Sequence, residues 1–138
     1  MIVLVDTPVW SLALRRKPAD LNRYEQTLTH ALAELIREGR AQIMGVIRQE
    51  LLSGMRDADR FAQLRDSLRA FEEPGLDARD YEDAAQMHNL CRSRGVTGSV
   101  VDFLICSVAH RRGWQIFTTD QDFPRYAKVL PIKLYDAS

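Results

Sequence analysis

An aspartate sits in the middle of the most apolar stretch of this chain, and that placement restricts the fold more than any other feature. Residues 98–109 read GSVVDFLICSVA, with Asp102 among Val101, Phe103, Leu104, Ile105 and Val108. Asp102, Ile105, Cys106 and Ala109 recur at helical spacing and share one face. The other faces are apolar too, so protein is expected to surround this helix on nearly every side. A carboxylate is among the groups least often buried without a partner. Ionised and alone in such a setting, it costs several kcal/mol or more. Asp102 must therefore be neutralised by an arginine such as Arg111, hydrogen-bonded, or bound to a cation.

The bulk properties narrow the setting. A chain of 138 residues is expected to form one domain, residues 1–138, burying roughly two-thirds of its unfolded surface. Nineteen Lys and Arg balance nineteen Asp and Glu, which excludes a whole-domain basic field but leaves room for a basic rim around an acidic site. Cys91 and Cys106 have no metal-ligand spacing and read as buried, reduced thiols. The opening residues lack a basic n-region, and no apolar run approaches the length of about 20 residues that spans a bilayer. A cytoplasmic protein with no membrane segment is expected.

Short apolar runs alternate with helical patterns. Strands are expected at residues 2–5, 41–44, 114–118 and 130–134, with a further short strand possible within 71–75. Helices are expected after Asp6 (with Pro8 in the first turn), at 21–38 up to Gly39, 46–54, 57–70, 77–94 up to Gly95, through Asp102, and at 123–127. Such alternation implies crossover connections and a three-layer α/β/α fold, with a central, mostly parallel sheet of four to five strands. Ligands of open parallel sheets bind beyond the carboxyl ends of the strands.

That rule selects acids. Asp6 follows the first strand, Asp120 and Asp122 follow the strand at 114–118, and Glu50 lies on the helix after the second strand. With Asp102 they converge on one edge, where mutual repulsion demands cations or shared protons. An all-carboxylate pocket suits Mg²⁺ or Mn²⁺, whereas zinc recruits Cys or His. His30, His88 and His110 have no ligand spacing. Each acid also has an ordinary reading: Asp6 as a helix N-cap, Glu50 as a solvated helix position, Asp120 and Asp122 as turn and cap residues.

The chain resembles the PIN-domain ribonucleases, and among them the VapC-type toxins of bacterial toxin–antitoxin pairs. The likeness is carried by LVDTPVW at residues 4–10, QELL at 49–52, VDFLICSVA at 101–109 and FTTDQDF at 117–123. It implies a metal-dependent endoribonuclease holding one or two Mg²⁺ or Mn²⁺ ions. Asp6, Glu50, Asp102 and Asp120 match the family's acidic quartet, Asp122 a frequent fifth acid, and Thr118 the hydroxyl residue two places before the last acid. Asp6 and Asp102 would be central ligands, Asp120 a ligand directly or through water, and Glu50 a ligand or the group orienting the attacking water. Thr118 would steady a carboxylate or water. Pro8 stands where many members carry a small polar residue.

The resemblance also implies a cognate antitoxin and a homodimer. Candidate contacts for RNA phosphates are Arg15, Arg16, Lys17 and Arg23, whose alternative is plain surface solubility. Arg111 and Arg112 are expected to be solvated at the far end of the central helix. The helix bearing Leu28 to Ile36 and that bearing Phe61 and Leu64 offer apolar faces, either to the core or to a partner. Competing functions are an inert protein-binding module of the same fold and a housekeeping nuclease. A phospho-aspartate receiver would need a late-strand lysine where this chain has Thr118-Thr119-Asp120, and a haloacid-dehalogenase phosphatase a second aspartate where it has Pro8.

Overall fold

A computed structural model describes Met1–Ser138. In chain order it contains β1 (Val3–Val5), α1 (Thr7–Leu14), a 3-10 turn (Pro18–Asp20), α2 (Arg23–Arg37), β2 (Ala41–Gln42), α3 (Gly45–Ser53) and α4 (Ala58–Leu68). Then follow α5 (Ala78–Ser93), α6 (Val100–Arg112), β3 (Gln115–Phe117) and α7 (Asp122–Ala127). The strands pair in parallel in the order β2-β1-β3, with Val3 opposite both Ala41 and Gln115, and Val5 opposite Phe117. Helices cover both faces, the three-layer α/β/α arrangement that parallel crossovers require. No helix is long and apolar enough to cross a membrane.

The sheet has four strands, the low end of the four to five expected. The segment at 130–134 contributes a single parallel bridge, Ile116 to Leu134, as a rudimentary fourth strand. Upstream of it, the Val129 and Leu130 N–H groups bond back to the Tyr126 carbonyl and close α7 instead of extending a ladder. Pro131 has no N–H to donate. Residues 71–75 form no strand. Their carbonyls are taken by side chains, Phe71 O by Arg48 Nη2 at 2.8 Å and Glu72 O by Gln42 Nε2 at 2.7 Å. The Phe71 ring meets Trp10 edge-on, with centroids 4.9 Å apart.

The core comprises β1 and β3, the apolar faces of α1 to α5 and of α7, and nearly all of α6. Leu28, Leu32 and Leu35 of α2 and Leu64 and Leu68 of α4 are buried, so these faces serve the core; Ile36 is the part of that stripe that reaches solvent. Every residue from Phe103 to Ala109 is buried, as expected for the central helix. Asp102 itself is half-buried, because it lies in the first turn of α6, two residues after a 74 % exposed Val100. Cys91 and Cys106 are buried free thiols.

The arginines at the other end of α6 depart from expectation. Arg111 and Arg112 are not solvated but folded onto α5, around a fully buried Asp80. Arg112 donates to both Asp80 oxygens at 2.8 and 3.1 Å, and Arg111 approaches Asp80 at 2.7 Å and Asp77 at 2.8 Å. Asp77 and Asp80 also form the capping box of α5. The Ser107 hydroxyl donates to the Asp80 carbonyl at 2.8 Å. These arginines hold the Asp80 carboxyl well below the ordinary carboxylate range, chiefly through the hydrogen bonds from Arg112. The arginine expected to be able to neutralise Asp102 thus neutralises another aspartate.

Candidate active site

Parallel pairing brings the ends of β1 and β3 side by side. The Asp6 N–H donates to the Phe117 carbonyl at 2.8 Å, so Asp6 and Thr118 emerge together at the carboxyl edge of the sheet. The Thr118 hydroxyl donates to Asp6 Oδ2 at 2.7 Å and accepts the Asp120 N–H at 3.0 Å. Asp120 Oδ1 in turn accepts the Asp122 N–H at 2.9 Å, an Asx turn that starts α7. On the other side, Thr7 N–H donates to Asp6 Oδ1 at 2.8 Å, while Thr7 Oγ1 donates to Glu50 Oε2 at 3.0 Å. Asp102 faces this row from α6, its Oδ2 accepting a 2.7 Å hydrogen bond from the Tyr126 hydroxyl.

The ordinary readings of some acids therefore coexist with convergence. Asp6 caps α1, though only through Thr7, and Asp120 makes its turn. Ligand oxygens of Asp102, Asp120 and Asp122 all lie within 4.8 Å of one another. Asp122, the fifth acid of the sequence reading, thus belongs to the tightest group. Asp6 stands beside that group, buried at 6 % exposure. Glu50 is exposed, on the wall of a groove of about 440 Å³ lined also by Thr7, Val46, Gln49, Ser53 and Val101.

Electrostatics separate this cluster from an ordinary set of surface acids. Burial pushes the Asp6 carboxyl up to about 6, against the bonds from Thr118 and Thr7 and with help from the Asp102 and Glu50 charges. Asp102 is raised as well, first by burial and then by the charges of Asp120 and Asp122, against the Tyr126 and Ser99 hydroxyls. One guanidinium touches the cluster, Arg125 at 3.3 Å from Asp122 Oδ1, and both partners are about half exposed. No lysine or arginine pairs with Asp6, Asp102, Asp120 or Glu50. Four hard carboxylates around a partly dry centre fit a hard divalent ion, whose opposing ligands on Mg²⁺ lie about 4 Å apart. No histidine or cysteine takes part: His88 stacks on Phe103 with centroids 4.6 Å apart.

The basic residues stand further off. Arg15, Arg16 and Lys17 follow the last turn of α1, about 12 Å along the helix from Asp6. Arg15 packs over Gly54, where an added Cβ would meet Nη2 at 2.7 Å. Arg16 lies 3.8 Å from Glu25 and 3.5 Å from the Asp20 carbonyl. Lys17 and Arg23 are exposed. None contacts the acids.

Sequence reasoning missed Thr7 and Tyr126. Thr7 had a signal, since a hydroxyl directly after a capping aspartate can reach the next element. Tyr126 had none beyond its spacing of four from Asp122, because nothing in the sequence says which residue of α7 meets α6.

The PIN domain family model matches residues 3–129. Among solved structures, FitAcB of Neisseria gonorrhoeae matches with a TM-score of 0.78 at 20 % identity, covering 99 % of this chain and 98 % of that one. VapBC2 of Rickettsia felis, bound to a DNA fragment from its promoter, gives a TM-score of 0.73 at 18 % identity, covering 98 % of each. A toxin–antitoxin complex from Klebsiella pneumoniae gives 0.66 at 15 % identity, covering 96 % of this chain and 99 % of that one. At such identities the structural likeness is one of fold, whereas the model match spans nearly the whole chain: this protein belongs to the PIN domain family.

Proposed function

We propose that this protein is an endoribonuclease dependent on Mg²⁺ or Mn²⁺ and acts in the cytoplasm as the toxin of a toxin–antitoxin pair. The observation that carries the reading is the gathering of Asp6, Asp102, Asp120 and Asp122 at the carboxyl edge of the sheet without an internal cation, Arg125 at its rim excepted. Asp102, Asp120 and Asp122 would hold the ion, with Asp6 beside them. A bound divalent ion supplies charge neutralisation at the scissile phosphate and an acidified water. Thr118 fixes Asp6 relative to Asp120, and Thr7 steers Glu50 over the groove. Glu50, exposed and outside the tight trio, is suited to orient the attacking water and take up its proton. Arg15, Arg16, Lys17 and Arg23 would hold RNA phosphates further along.

The cognate antitoxin and a homodimer are proposed as partners, in keeping with the fold shared with a toxin–antitoxin complex. The test is cleavage of RNA by purified protein. Cleavage should require Mg²⁺ or Mn²⁺, stop with EDTA and disappear in folded Asp6→Asn and Asp102→Asn, and expression should arrest growth unless the antitoxin is present. Metal-independent cleavage, or full activity in either variant, would refute the assignment.

A further inference from the structure

Tyr126 has no exposed surface, yet its hydroxyl ends on Asp102 Oδ2 at 2.7 Å. The bond crosses from α7, the helix that starts with Asp122, to the first turn of α6. It therefore ties Asp102 to the element carrying another member of the trio. The phenol ring is clamped between Phe103 and Phe123, with centroids 4.8 and 5.2 Å away. Its third neighbour is Gly98, where a Cβ would lie 2.2 Å from the hydroxyl and 2.7 Å from Cζ. Gly98 does not have a positive φ, so no left-handed backbone calls for glycine there. Close approach of the phenol does.

A neutral phenol is a fitting partner for a carboxylate that must also meet a cation. It fixes the side chain by a hydrogen bond without adding the positive charge that an arginine would bring against the ion. Groups that orient metal ligands in this way govern affinity as strongly as many direct contacts. We propose that Tyr126 is a positioning residue of the cation site: its hydroxyl holds Asp102 at the spacing from Asp120 and Asp122 that a divalent ion needs. Gly98 is the clearance that admits it. The inference rests on reading the acidic cluster as a divalent-ion site.

Calorimetric titration of the intact protein with Mn²⁺ tests it, using wild type, Tyr126→Phe, Gly98→Ala and Asp102→Asn, beside melting curves in EDTA. Phenylalanine keeps the ring and its packing, so Tyr126→Phe should fold and bind Mn²⁺ about 10- to 100-fold more weakly. RNA cleavage by this variant should recover at raised Mn²⁺, since the ligands remain. Gly98→Ala should weaken Mn²⁺ binding in the same direction by displacing the phenol, and wild-type affinity there would overturn the clearance role. A Tyr126→Phe protein that melts lower in EDTA yet binds Mn²⁺ as wild type does would overturn the positioning role. A wild type that binds no Mn²⁺ would overturn the metal reading and this inference together. Mn²⁺ binding that weakens as expected, in a protein that cuts no RNA, would uphold the inference and contradict only the nuclease assignment.

Discussion

Helix α6 carries an acid at one end and two arginines at the other, and the two ends treat buried charge in opposite ways. At the C-terminal end, Asp80 is fully buried, yet Arg111 and Arg112 surround it and hold its carboxyl ionised. At the N-terminal end, Asp102 meets Asp120 and Asp122 next to a buried Asp6, and burial raises both Asp102 and Asp6. A buried pair that loses one member costs several kcal/mol, because the remaining charge is stranded. The first site is a closed account of charge that locks α5 to α6. The second is left open, and on the proposed reading a divalent ion closes it. Placement on the helix suits both, with acid near the N-terminus and bases in the last turn.

The two ends of α6 should differ most in activity. Asp102→Asn and Asp6→Asn should each lose RNA cleavage by more than the roughly 100-fold that removal of a supporting residue costs, with circular dichroism unchanged. Asp80→Asn should act on the fold instead. It strands two half-buried arginines, and a loss of about 3 kcal/mol in urea unfolding is expected, with cleavage retained in the fraction that remains folded.

The two ends should also respond oppositely to pH. Asp6 has a folded value near 6 against an ordinary 3.8, so its ionisation opposes folding. In EDTA its contribution to stability is fully present below about pH 4 and is lost as pH rises through 6. The shift corresponds to about 3 kcal/mol at most. Asp80 is depressed, so its contribution is present above about pH 4 and lost as pH falls further. Urea unfolding in EDTA between pH 4 and 7 should therefore show falling stability in wild type and a flatter profile in Asp6→Asn. The smallest effect concerns the rim: Arg15→Ala should weaken RNA binding several-fold and lower the salt slope by about one, leaving Mn²⁺ affinity unchanged.

Much of this difference was legible in the residues, but not all. Asp102 in an apolar helix, Asp6 after a buried strand and Asp120 after another imply convergence as soon as the strands are parallel, and β1 and β3 are. The glycines read as helix stops, Gly39 and Gly95, both take a positive φ. What stayed hidden depends on contacts between distant segments. That Arg112 turns back toward Asp80, and that Arg48 and Gln42 claim the carbonyls of Phe71 and Glu72, is decided by packing and not by local pattern. Leu130 was drawn from an expected strand into the end of α7 by the Tyr126 carbonyl. The same residue supplies the unexpected hydroxyl on Asp102.

Urea unfolding of wild type and Asp102→Asn at pH 7, each with EDTA and with Mn²⁺, tests most directly whether the acidic edge is an open charge that a cation completes. Asp102→Asn should be the more stable protein in EDTA, while Mn²⁺ should stabilise wild type by about 2.7 kcal/mol at a hundred times its Kd and leave the variant unmoved. An Asp102→Asn protein destabilised in EDTA as Asp80→Asn is, with Mn²⁺ shifting neither wild type nor variant, would contradict the account.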